Sequence, residues 1–158
     1  MFESFFPKPK LFFTSVLVWA ALGILIWYGP GDSIGAALGF ALPEPEGEPI
    51  VGLQYFYTSS FLWFYTFYTV WSLAFAAFWF VYSPHKWQMW SILGSVFILF
   101  TTYFGVQVSV AINNWRRPFF DTFQTALSGD GTVSEADLYA LIVIFVQIAF
   151  VSTAVFVI

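Results

Sequence analysis

The chain has no cysteine, one histidine and very little charge, and each shortage removes a class of function. Without cysteine there are no disulfides, no thiolate nucleophile and no sulfur ligand for a metal. The single histidine, His85, leaves no pair of imidazoles for haem or zinc within one chain. Five lysines and arginines make no basic patch for nucleic acid. The G-x-x-x-x-G-K-[ST] phosphate loop is missing, so no nucleotide-binding motif is present. No catalytic residue, cofactor or metal is expected, and an enzyme is the least supported reading.

Charged residues make up 9% of the 158, against roughly 25% in an ordinary soluble domain. A chain so short of charge cannot clothe itself in a water-soluble surface, and the lipid bilayer is the partner its composition fits. Aromatic residues reach 24%, many of them where apolar runs meet polar loops. That placement suits rings at the headgroup level.

What the chain does have is four apolar runs: about 11–28, 59–82, 90–112 and 138–158. Each is close to the roughly 20 residues that cross the hydrocarbon core. None holds an Asp, Glu, Lys or Arg. A backbone in hydrocarbon must satisfy its own polar groups, so the runs are expected to be helices. A barrel would show short alternating segments instead. The expected fold is an all-α membrane protein of about four transmembrane helices in a single domain, 1–158. Lys8 and Lys10 before the first run resemble a signal peptide. The length of the run and its Trp19, Trp27 and Tyr28 favour a retained anchor.

The connections are expected to be an outer loop over about 29–58, a short turn at Ser83–Gln88 and a second outer loop over about 113–137. Glu44, Glu46 and Glu48 alternate with prolines, which blocks regular helix and reads as a solvated loop more simply than as a cation site. The short turn makes the second and third helices antiparallel neighbours, with Pro84 suited to a turn or a helix start. His85 reads there as an interfacial turn residue rather than a pH sensor. Ser134 with Asp137 is an N-cap signature for the fourth helix. The stretch from Ser128 to Glu135 looks like the tail of a calcium loop, but Ala126 and Ser128 would occupy its ligand positions, which excludes calcium. Lys8, Lys10 and Lys86 outnumber Arg116 and Arg117, which places the N-terminus and the Lys86 turn in the cytoplasm.

Small and weakly polar residues mark helix contacts in lipid. Ser91, Ser95, Thr102, Gly105 and Ser109 form one stripe, and Thr58, Tyr65, Thr69, Ser72 and Ala76 another. Both are expected to be seams, with a translocation path as the other reading. Gln107 and Gln147 stand alone in apolar faces. An unsatisfied amide at membrane depth costs several kcal/mol, so each is expected to face protein or a wet cavity.

Three segments carry a resemblance. Met1-Phe2-Glu3-Ser4-Phe5-Phe6-Pro7-Lys8-Pro9 opens the chain. Phe78-Trp79-Phe80-Val81-Tyr82-Ser83-Pro84-His85-Lys86-Trp87-Gln88 runs on to Trp90-Ser91-Ile92-Leu93-Gly94. Asn113-Asn114-Trp115, Pro118-Phe119-Phe120-Asp121 and Gln124-Thr125-Ala126-Leu127 follow. Together they resemble the SbmA/BacA family of bacterial inner-membrane peptide transporters, over nearly the whole chain except the Pro/Glu loop. The resemblance implies the first part of an ABC-exporter-like transmembrane domain without a nucleotide-binding domain. It further implies a homodimer that imports antimicrobial and other peptides on the proton gradient. Family members are longer, so the chain reads as an N-terminal portion. Proton coupling needs a titratable group in the path, and none lies in the four runs, so the coupling acids are expected beyond Ile158. The candidate path-lining or family-motif residues are His85, Gln107, Asn113, Trp115, Asp121 and Gln124. The competing reading is a small four-helix structural subunit of a membrane complex.

Overall fold

The computed structural model describes residues 6–43, 47, 49–129 and 131–157. Among them there is no strand, and four helical stretches are long and apolar enough to cross a membrane. Helix α1 is Pro9–Tyr28, α2 Gly31–Ala37, α3 Ser59–Tyr82, α4 Ser95–Ser128 and α5 Glu135–Val157. A 3₁₀ turn, Leu53–Tyr57, precedes α3, and a π-helical turn, Met89–Gly94, leads into α4. The all-α membrane class expected from the apolar runs is thus the observed one. The chain forms two compact units, one from residues 1–45 and 59–99, the other from 46–58 and 100–158.

In the first unit α1 starts at Pro9, whose missing N–H costs nothing in a first turn. It stops at Gly29, whose N–H closes on the Leu25 carbonyl at 3.0 Å, just before Pro30. Helix α3 carries Trp63, Phe67, Trp71, Phe75 and Trp79 at four-residue spacing, a ridge of rings along the helix. Helix α1 answers with Ser15, Trp19, Gly23 and Trp27 at the same spacing. Rows of this kind interlock as ridges and grooves. Trp19 and Trp71 stack at 4.4 Å, and each indole N–H donates to the other's backbone carbonyl at 3.2 Å. Gly23 gives Trp71 its room: a Cβ there would stand 2.7 Å from the indole nitrogen. Trp79, fully buried, donates to Ser15 Oγ at 3.1 Å and packs edge-on to Phe12. Trp63 is also buried, with its Nε1 unpaired.

The seam is therefore aromatic, and the small-residue stripe expected on α3 is only partly in it. Ala76 is buried, Tyr65 and Ser72 half-buried, and Thr69 exposed. On the following helix Ser91 is buried and Gly105 half-buried, whereas Ser95, Thr102 and Ser109 are exposed. Ser95 and Ser109 donate to the carbonyls of Ser91 and Gly105, four residues back. A hydroxyl satisfied within its own helix needs no partner helix.

Two connections differ from expectation. The 29–58 segment contains α2 and the 3₁₀ turn. Asp32 in the first turn of α2 complements the helix dipole. Gly35 lies so close to Trp63 that a Cβ would meet the ring at 3.1 Å. The glutamates Glu44, Glu46 and Glu48 lie outside the described residues. The second outer loop expected over 113–137 is mostly helix, because α4 runs unbroken through Pro118 to Ser128. Trp115, Phe119 and Phe123 stack at 4.7 and 6.2 Å across the proline. That ring ladder offsets the one backbone bond the proline removes. Met89–Ser128 forms a helical stretch of 40 residues, about 60 Å at 1.5 Å per residue, so it outruns a 30 Å hydrocarbon core.

In the second unit Phe104, Val108, Ala111 and Trp115 form the buried face of α4, and Ile148 is the buried centre of α5. Trp115 donates to the Leu141 carbonyl at 2.7 Å and stacks on Phe145 at 4.8 Å. Gly105 receives the Phe156 ring, which a Cβ would meet at 2.8 Å. The N-cap expected at Ser134 is present: the Ser134 N–H and hydroxyl both donate to Asp137 Oδ2 at 2.8 Å.

Gly23→Val is expected to destabilise the first unit by about 1–3 kcal/mol, the usual cost of overpacking. Leu17→Ala on the exposed face of α1 should change stability by less than about 0.5 kcal/mol. Equilibrium unfolding in bicelles would measure both.

Candidate functional site

Past the apolar stretch of α4, its sequence turns polar at Asn113-Asn114-Trp115-Arg116-Arg117. A helix presents neighbours in sequence to different sides, and this segment divides accordingly. Trp115 turns inward to Leu141. Asn113, Asn114, Arg116, Arg117 and Asp121 line a cleft of about 690 Å³, closed on its other side by Pro49 and Val51. Asn114 Nδ2 reaches the Ile50 carbonyl at a long 3.5 Å. Arg117 Nε lies 3.9 Å from Asp121 Oδ2, one turn on, and both side chains are largely exposed. An exposed pair of this kind contributes less than about 1 kcal/mol. Arg116 has no acidic partner among the described residues.

The cleft thus offers two guanidinium groups and two amides to whatever enters it. Such donors suit carboxylates and peptide carbonyls, which accept fork-like hydrogen bonds from Arg. They carry no nucleophile with an adjacent base. Among the described residues no three His, Asp or Glu side chains gather as metal ligands.

Of the residues singled out from sequence, Asn113 and Asp121 meet in this cleft. Trp115 does not: it is a buried anchor. Gln124 is exposed on α4 beyond the cleft. Gln107 lies in the same unit and accepts a hydrogen bond from the Tyr55 hydroxyl at 2.8 Å, which meets the expectation that its amide faces protein. Burial, and next the nearby Tyr103, push the Tyr55 phenol above its ordinary range, which keeps it a donor. Gln147 is exposed on α5.

His85 belongs to the other unit and forms the turn between α3 and the π-helical turn. Its Nδ1 accepts from the Trp87 N–H at 3.2 Å, and its own N–H donates to Gln88 Oε1 at 2.9 Å. It is a turn residue. Tyr55, Pro49 and Val51 escaped the sequence reading, because no spacing pattern links residues some fifty positions apart to α4.

The family model for the SbmA/BacA-like family matches residues 84–158. The match begins at the His85 turn and includes every polar residue of the cleft that α4 supplies. It bears out the resemblance read from the sequence from Pro84 onward; the opening segment, 1–9, and Phe78 to Ser83 lie outside the match. Over residues 84–158 the chain is similar to a family of transporters, and its four membrane-length apolar helices fit a multi-pass membrane protein.

Tyr55→Phe and Gln107→Leu, combined in a double-mutant cycle, should show a coupling of roughly 0.5–1.5 kcal/mol in unfolding experiments. A coupling near zero would mean that the amide has another partner.

Proposed function

We propose that this chain, whose residues 84–158 match the SbmA/BacA-like family, is part of a peptide importer of the bacterial inner membrane. The importer is ATP-independent, runs on the proton gradient and works as a homodimer. The observation that carries this reading is the family match on a chain with four membrane-length helices whose apolar runs hold no charged residue.

The N-terminus and the Lys86 turn are assigned to the cytoplasm by the excess of lysine at that end. The cleft of α4 then lies past the opposite end of the third span, where an incoming peptide would arrive. Its arginines and amides match the carbonyls and terminal carboxylate that any peptide presents, whatever its side chains. That supports broad rather than sequence-specific recognition. Proton coupling needs a group that titrates in the path. The apolar runs contain none, so the coupling groups are assigned outside them.

The test is expression of the complete reading frame in uptake-deficient bacteria, with killing by a proline-rich antimicrobial peptide as the readout. Sensitivity should rise, and peptide uptake into proteoliposomes should require an imposed proton gradient. Arg116→Gln and Arg117→Gln should each raise the apparent KM by less than about five-fold, as exposed charges do. Unchanged sensitivity would overturn the transport reading.

A further inference from the structure

The first unit contains an apolar cavity of about 370 Å³ that the interlocked rings of α1 and α3 leave unfilled. Val16 and Ala20 of α1, Tyr68 and Ser72 of α3, and Ser91 and Leu99 beyond the turn lie in its walls. Ala20 and Leu99 are exposed, so the cavity opens on the surface of the unit. The helices that wall it are long and apolar enough to cross a membrane, so in a bilayer such an opening meets acyl chains.

Two further observations narrow the occupant. The Tyr68 hydroxyl is satisfied by the Val96 carbonyl at 2.7 Å. The Ser91 hydroxyl, on a residue only 2% exposed, has no partner. It is a donor in an apolar wall that lacks an acceptor. The second observation is charge. Lys8 Nζ lies 4.5 Å over the Tyr82 ring, which brings the start of α1 to the end of α3. Lys10 follows within that first turn, and Lys86 stands in the link just after Tyr82. All the basic residues of this unit therefore gather at one end. Among its described residues the sole acid, Asp32, lies past the other end of α1. Ser91 follows Lys86 by five residues, just inside the basic end.

We propose that the cavity holds one acyl chain of an anionic phospholipid, with the headgroup phosphate at Lys8, Lys10 and Lys86 and the Ser91 hydroxyl donating to an ester carbonyl. Headgroup, ester and chain follow one another in the lipid in the same order as lysines, serine and apolar wall follow one another in the unit. The site is separate from the cleft on α4 and stands whether or not that cleft receives peptide.

The test uses the purified chain in nanodiscs containing phosphatidylglycerol with a diazirine in the acyl chain, and in parallel a phosphatidylcholine probe of the same chain. Photolabelling should concentrate on peptides covering residues 12–20 and 91–99, with phosphatidylglycerol preferred. Ala20→Trp, which fills the opening from its exposed rim, should cut that labelling several-fold without moving the unfolding midpoint. Leu99→Trp does the same from another wall and serves if the first variant unfolds. Lys8→Gln and Lys86→Gln should each reduce the preference for the anionic lipid by about five-fold. Three outcomes overturn the proposal. One is even labelling of all four spans that ignores both tryptophan variants, and another is equal labelling by the two lipids. The third is loss of labelling on addition of excess proline-rich peptide, which would make the cavity a peptide subsite.

Discussion

A polar hydrogen in the hydrocarbon core finds no acceptor among acyl chains, so leaving it unpaired is costly and the protein gains by supplying a partner. The reciprocal bonds between Trp19 and Trp71 meet that demand in the most economical way. A helical carbonyl already receives one N–H from its own helix but keeps a second lone pair. Each indole uses that spare acceptor on the facing helix. The bond requires the two backbones to come close, and closeness requires Gly23 beneath the Trp71 ring. Once Trp19 and Trp71 are placed, the four-residue spacing sets Trp27 against Trp63 and Phe12 against Phe75 and Trp79. The seam is thus one constraint repeated along two helices.

The second unit uses the same device with different residues. Trp115 donates to the Leu141 carbonyl, as Trp19 and Trp71 do to each other. Gly105 accommodates the Phe156 ring, as Gly23 accommodates Trp71. Aromatic side chains have few rotatable bonds and large contact area, so they bind helices together at small entropic cost where the hydrophobic effect is absent. Serine and threonine hydroxyls take the other route and bond back to their own helices. That leaves them compatible with lipid contact and explains why a stripe of them is a poor guide to a seam.

The existence and class of the four spans were legible in the sequence, because long charge-free runs admit one structure in hydrocarbon. The cap at Ser134 was legible too, being a local bond between residues three apart. The seam was misread: tryptophans suggested headgroup level, and the four-residue repeat of rings on α3 was the signal that pointed inward instead. The end of α4 was misplaced because Pro118 and a polar run mimic a loop, while the ring ladder that carries the helix past the proline is read only from i, i+4 spacing. The cleft was half legible. Asn113 and Asp121 could be named from their segment, but Pro49 and Val51 come from a distant part of the chain that periodicity does not connect to it.

The packing of the first unit rests on the aromatic seam of α1 and α3. Solid-state NMR of the chain in bilayers, with ¹³C-labelled tryptophan rings, reads that seam directly. Rings 4.4 Å apart require a strong Trp19–Trp71 cross-peak, lost in Trp19→Phe. Spectra in which both rings contact only lipid acyl carbons would contradict the seam and the packing built on it.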